Sequence, residues 1–290
     1  MAYYINQRPH QNKLHLQYLR GVICMCLKKP ISRSIELNIK RPDRHENMIK
    51  RRRDLPLIII GDLHGERDSL KEILEITSDE GDSLFLFLGD YVDRGSDCMG
   101  LLEDIINFQI NNGERVILLR GNHENWDMNI RYSFASELIA KGYEGVIEDI
   151  LSWYESLPLI ALFDDVVALH GGVPKPIPSN INDLSRIRAT DPLGMQVLWN
   201  DPLDEGYWPR GGGTKPFTAK DLEAFLKLTG AKLLIRGHQY VPNRGYKLNF
   251  DNRCMTIFSA SYGYGWPRCF VYLPPCDFNV SDVEKYIIRI

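Results

Sequence analysis

Five short apolar runs constrain this chain most, because each stops beside a glycine and a side chain able to bind a metal. Leu57–Ile60 is followed by Gly61, Asp62 and, two residues on, His64. Leu84–Leu88 leads into Gly89-Asp90, and Val116–Leu119 into Arg120-Gly121-Asn122. Val166–Leu169 leads into His170-Gly171, and Lys232–Ile235 into Arg236-Gly237-His238. Runs this short and this rich in Val, Ile and Leu predict strands buried on both faces. Polar groups that follow consecutive buried strands converge on the rim beyond the carboxyl ends of a sheet. Between the first three runs, Arg67–Thr77 and Met99–Phe108 place Leu70, Ile73, Leu74 and Leu101, Leu102, Ile105, Ile106 at helical spacing. Strand, helix, strand, helix, strand predicts a βαβαβ unit with a mainly parallel sheet and right-handed crossovers.

The rest of the chain reads more coarsely. A helical stretch is expected over about 126–156, then strands at Leu159–Phe163 and Val166–Leu169. Residues 173–218, rich in Pro and Gly, predict loops with one short strand near Gln196–Trp199. A helix over Asp221–Leu228 and strands over Thr256–Ser259 and Cys269–Leu273 complete the pattern.

The histidines sharpen the reading of the rim. Of seven, His10, His15 and His45 lie near the amino terminus, and the other four, His64, His123, His170 and His238, all fall in the rim segments. The candidate donors Asp62, His64, Asp90, Asn122, His170 and His238 include no thiolate, which suits Mn²⁺, Fe or Zn²⁺. Six donors exceed what one cation with an open position needs, so two divalent ions sharing a carboxylate are expected, an arrangement suited to displacement at phosphorus.

Charge separates the chain into two regions. Residues 1–53 carry 13 Lys/Arg against 3 Asp/Glu, and the remainder 22 against 35. The expected division is a basic extension over 1–53 and a catalytic body over 54–290, with Met48 an alternative initiator. The extension reads as a solvated tail, a helix packed on the body, or a contact for an anionic surface. The acidic body excludes general nucleic-acid binding, leaving the basic arm as the one segment suited to it. Apolar runs are too short to span a bilayer. The cysteines at 24, 26, 98, 254, 269 and 276 lack zinc-finger spacing and read as reduced thiols, so a cytoplasmic protein is expected.

The strings GDLHG (61–65), GDYVDRG (89–95), LRGNHE (119–124), LHGGV (169–173) and IRGHQ (235–239) together resemble the phosphoprotein phosphatase superfamily of serine/threonine phosphatases. Their order and spacing match over about residues 55–265: 28 residues from Asp62 to Asp90, 32 to Asn122, 48 to His170 and 68 to His238. The short length resembles archaeal and phage members more than eukaryotic catalytic subunits. The resemblance implies an α/β metallophosphoesterase fold, a β-sandwich flanked by helices around the βαβαβ core. It implies that Asp62, His64 and Asp90 hold one metal, that Asp90, Asn122, His170 and His238 hold the other, and that Mn²⁺ is the leading candidate. A hydroxide bridging the metals would attack the phosphomonoester of a phosphoprotein in line. His123 would protonate the leaving oxygen, Asp93 would pair with its imidazole, and Arg94 would bind phosphate. Arg210, in WPRGGGTKPFT, is similar to the family's second phosphate arginine. FSASYGYG (258–265) departs from the family's SAPNYC loop, and either Tyr262 or Tyr264 takes the place of its tyrosine. The alternative within the same fold is a diadenosine-polyphosphate or nucleotide hydrolase, whose members usually carry Asp at the position of Glu124; a non-catalytic scaffold is the third reading.

Overall fold

The computed structural model describes residues 47–204, 210–275 and 277–290. Strands β1 (Met48–Lys50), β2 (Leu57–Ile60), β3 (Leu84–Phe87) and β4 (Val116–Leu118) alternate with helices α1 (Arg67–Ile76) and α2 (Cys98–Asn112). Helices α3 (Trp126–Arg131), α4 (Phe134–Lys141) and α5 (Ile147–Ser156) precede β5 (Ile160–Leu162) and β6 (Val166–Leu169). Then come α6 (Ile181–Ser185), α7 (Pro192–Trp199), α8 (Ala219–Thr229) and the strands β7 (Leu233–Arg236), β8 (Tyr246–Asn249), β9 (Cys254–Ile257), β10 (Cys269–Leu273) and β11 (Ile287–Arg289).

The strands form two mixed sheets, ordered β11-β10-β2-β3-β4 and β1-β5-β6-β7-β9-β8. The β2, β3 and β4 strands run parallel, as the βαβαβ pattern requires, and so do β6, β7 and β9. One face of each sheet meets the other in a shared core: Leu57, Ile59, Leu84 and Leu86 pack with Ala168, Leu233, Ile235, Met255 and Ile257. The outer face of the second sheet, through Ile160, Val167, Leu169 and Leu234, is covered by Val197 and Leu198 of α7 and by Leu222, Phe225 and Leu226 of α8. Each Leu or Ile so buried contributes roughly 1.5–3 kcal/mol relative to exposure. The β-sandwich with flanking helices expected for the fold is thus present.

Three local expectations are corrected. The single stretch over 126–156 is three helices. Tyr132 leaves helical geometry at φ −99°, ψ −115°, and Gly142 ends α4 in the left-handed region at φ 74°. The strand expected near Gln196–Trp199 is the end of α7. Pro192 opens that helix with φ already set, and Gly194 lies so close to the Arg188 carbonyl that a Cβ would collide with it. The basic extension drawn to residue 53 overlaps the sheet, because Met48 is buried and Met48–Lys50 pairs in parallel with Ile160–Leu162. Arg53 also belongs to the body, donating to both carboxylate oxygens of the buried Asp165. Residues 1–46 and 205–209, and Cys24, Cys26 and Cys276 with the histidines of the arm, lie outside the described residues. Cys98, Cys254 and Cys269 are buried free thiols.

Candidate metal centre

The carboxyl ends of β2, β3 and β4 point to one edge of the first sheet, and those of β6 and β7 to the neighbouring edge of the second. Hydrogen bonds between side chain and main chain join the two. His238 N donates to Asp62 Oδ1 at 3.0 Å, and the His170 ring shares its Nδ1 proton with Leu88 O at 2.9 Å. The edge therefore carries Asp62, His64, Asp90, Asn122, His123, His170 and His238 together, none more than 9% exposed.

Close approach explains the glycines here. Gly89 has φ 100°, and a Cβ on it would strike the Gly121 backbone; one on Gly121 would strike the Asp90 carboxylate. The non-glycine residues carry strain as well. His64, Asp90, Asp93, Arg94, His238 and Tyr262 all lie at φ between 43° and 73°. Such residues persist only where surrounding contacts over-determine them, and they concentrate at functional sites.

The imidazole tautomers show what the cluster can hold. His64 Nδ1 faces the Val92 carbonyl at 2.8 Å and His170 Nδ1 the Leu88 carbonyl, so in each ring that nitrogen carries the proton. The lone pair at His64 Nε2 then faces Asp90 Oδ2 at 3.5 Å and Asp62 Oδ2 at 4.0 Å. At His170, Nε2 faces Asp90 Oδ1 at 3.3 Å and Asn122 Oδ1 at 2.8 Å. His238 Nδ1 meets the same Asn122 oxygen at 2.7 Å, while its buried Nε2 has no hydrogen-bond partner. Oxygen and nitrogen donors crowded together, with the second ring nitrogen of His64 and of His170 committed to a main-chain carbonyl, are the arrangement of cation ligands. Two groups fit: His64, Asp90 and His123, and Asp90, His170 and His238, each with its ligand atoms within 4.8 Å of one another. Asp90 belongs to both.

Burial and the shared Asp90 carboxylate shift the titration of these groups in different directions. Burial pushes the Asp62 carboxyl up to about 6. Burial opposes the charge on His170 too, yet the Asp90 carboxylate lifts its imidazole to about 9. Against the same penalty, His170, His123 and His64 hold Asp90 well below the usual carboxylate range. Burial holds His64 and His238 well below the ordinary histidine value. The donor set fits divalent cations.

His123 differs from its neighbours. Its Nδ1 faces a carboxylate, Asp93 Oδ2, at 2.7 Å, and its Nε2 lies 3.3 Å from Arg94 Nη2. Asp93 also accepts from Asn129 Nδ2 at 3.0 Å and Phe134 N at 3.0 Å, and Tyr154 Oη donates to Asn129 Oδ1 at 3.1 Å. The Arg94 guanidinium sits between the rings of Tyr132 and Tyr262, 5.2 and 5.7 Å from their centroids, and donates to Tyr262 Oη at 3.0 Å. Of the two candidate tyrosines, Tyr262 therefore faces the centre. Tyr264 is 72% exposed and stacks on Trp266, so it does not join the site. Arg210 lies on the His238 side, its Nε bonded to the buried Asp201, whose other oxygen accepts from Arg236 Nη2 at 2.8 Å.

Four residues at the site carried no role in the sequence reading. Glu124, buried and pushed up to about 7 by burial, accepts from the amides of Asp90, Tyr91 and Gly121 at 2.7–2.9 Å, fixing two donor loops at once. Its place in LRGNHE was visible; its inward turn was not. Asn129, Tyr132 and Asp201 sit in no periodic or glycine-marked pattern that would single them out.

Residues 55–242 match the calcineurin-like phosphoesterase family, and the chain belongs to it. Solved structures agree on the fold. A protein serine/threonine phosphatase from Saccharomyces cerevisiae is 24% identical, with a TM-score of 0.73 over 85% of this chain and 83% of that one. A structure provisionally described as a diadenosine tetraphosphatase is 19% identical, with a TM-score of 0.55 over 84% and 97%. A cold-active protein-tyrosine phosphatase of a Shewanella species is 19% identical, with a TM-score of 0.54 over 79% and 77%. The chain is a phosphoesterase of this family, and family and donor set together imply divalent metal ions. Among the described residues no helix is long and apolar enough to cross a membrane.

Proposed function

We propose that this protein is a metal-dependent serine/threonine protein phosphatase acting on phosphoprotein monoesters. Asp62, His64 and Asp90 would hold one divalent cation, and Asp90, Asn122, His170 and His238 a second, with Mn²⁺ ahead of Fe or Zn²⁺ for a donor set without sulfur. Such cations supply Lewis-acid charge and an acidified water when bound. Arg94 presents a planar fork to the phosphate oxygens, and Tyr132 and Tyr262 keep it aimed. Arg210, tied to Asp201, would be the second clamp. His123 gives a proton from Nε2 to the departing oxygen, and Asp93, 2.7 Å from its Nδ1, holds the plane of the imidazole.

The Asp93–His123 pair carries the reading. A serine or threonine alkoxide is a poor leaving group that needs a proton in the transition state, whereas a nucleotide leaving from a phosphoanhydride is a far weaker base and needs one less. A committed acid therefore favours phosphomonoesters over dinucleoside polyphosphates. The test compares kcat/KM of the Mn²⁺-loaded protein on phosphoserine and phosphothreonine peptides, a phosphotyrosine peptide and diadenosine tetraphosphate. The phosphoserine and phosphothreonine peptides should lead; preference for the dinucleotide would establish the nucleotide hydrolase reading instead.

A further inference from the structure

We propose that Glu66 is a positioning residue for the phosphate clamp, bracketing Tyr262 on both sides and through it setting Arg94. Glu66 immediately precedes α1, far in sequence from the loop it holds, and its side chain is 17% exposed. Ser261 N donates to Glu66 Oε2 at 2.6 Å, Ser261 Oγ to Oε1 at 2.9 Å and Gly263 N to Oε1 at 3.1 Å. The two amides flank Tyr262, which stands at φ 52°. A non-glycine residue in that region needs outside contacts to stay there, and one carboxylate supplies them from both sides. Ser69 Oγ donates to Oε2 at 2.5 Å, and Arg268 Nη1 lies 3.7 Å from it, so the carboxylate is itself held. The chain of contacts then runs outward: Tyr262 presents its hydroxyl and its ring to Arg94, and its ring lies 5.6 Å from that of His64. Remove the carboxylate, and Tyr262 is free to relax toward an ordinary backbone conformation. Arg94 then loses a hydrogen bond and one of its two ring walls.

This inference rests on the reading of Arg94 as a phosphate ligand, so the experiment measures both. Inorganic phosphate is the probe, followed by its inhibition of p-nitrophenyl phosphate hydrolysis and by the thermal shift it produces in the metal-loaded protein. Arg94→Ala should weaken phosphate. Glu66→Ala should weaken it about tenfold, the upper end of what one ordinary hydrogen bond is worth, with KM rising more than kcat falls and metal content unchanged. Glu66→Gln, which keeps one acceptor oxygen, should fall between. In the Arg94→Ala background, Glu66→Ala should add nothing, because its route to phosphate is already cut. If Glu66→Ala fails to fold, Glu66→Gln carries the same comparison. Unchanged phosphate affinity in the Glu66 variants beside a weakened Arg94→Ala overturns this inference alone, as do penalties that add in full. Unchanged affinity in Arg94→Ala overturns the role of Arg94 and this inference with it.

Discussion

The floor of the site and its rim are built differently. Floor residues such as Asp62, Asp90, His64 and His170 are buried and fixed mainly by main-chain partners: carbonyls of Val92 and Leu88, and amides of His123 and His238. Rim residues are exposed or half-buried, and side chains, several from distant segments, fix them. Arg94 is held by Tyr132 and Tyr262, Tyr262 by Glu66, and Arg210 by Asp201. Whatever keeps the sheets together keeps the floor together, so floor geometry is inherited from the fold. Rim geometry is assembled contact by contact and can change without disturbing the core.

The widest gap between the two should appear on substituting Asp90. Its carboxylate is the one shared by both candidate metal groups, and Oδ1 also accepts from His123 N at 2.8 Å. Asp90→Asn removes the negative charge while keeping the shape. Metal affinity should fall by more than the roughly 10–100-fold usual for residues that only touch a ligand, taking hydrolysis to background. Elemental analysis of the purified variant checks this; full metal content would mean that the floor does not depend on a shared carboxylate.

His123 stands at the boundary and tests where floor ends and rim begins. Geometry alone groups it with His64 and Asp90, yet it alone of the buried imidazoles turns Nδ1 to a carboxylate. As the acid, His123→Asn should lower kcat by about 10²–10⁴ on a phosphoserine peptide, less on p-nitrophenyl phosphate, whose leaving group hardly needs the proton, and should leave metal content unchanged. Loss of metal instead would move His123 into the floor.

The same division explains what the sequence disclosed. The donors were legible because a parallel strand ends where its polar group begins, and Asp62, Asp90, Asn122, His170 and His238 each follow a run of buried Val, Ile or Leu. The sandwich was less so: β1, β8 and β11 are short edge strands, and nothing in Met48–Lys50 announces pairing with Ile160–Leu162, more than a hundred residues on. The α3–α4 break escaped because apolar spacing continues through Tyr132, while the break turns that ring onto His123, with centroids 4.8 Å apart. Tertiary demand overrode local periodicity at the point where the site needed an aromatic wall.

The smallest expected effect separates two tyrosines that the sequence leaves equivalent. Tyr262 and Tyr264 share a glycine-rich loop, and only their surroundings distinguish them. Tyr262→Phe keeps the ring beside Arg94 and removes one hydrogen bond, worth roughly 0.5–1.5 kcal/mol, so KM for p-nitrophenyl phosphate should rise by roughly 2–12-fold at similar kcat. Tyr264→Ala removes a ring that is 72% exposed and in contact with Trp266 rather than with Arg94, and KM for this small substrate should shift less than in Tyr262→Phe. The small substrate matters, because it reaches Arg94 without spanning the outer loop, so its KM reports the clamp and not the surface beyond it. The reverse order would mean that the loop turns over in solution and presents its outer tyrosine to phosphate, making the rim a set of exchanging side chains rather than a fixed wall.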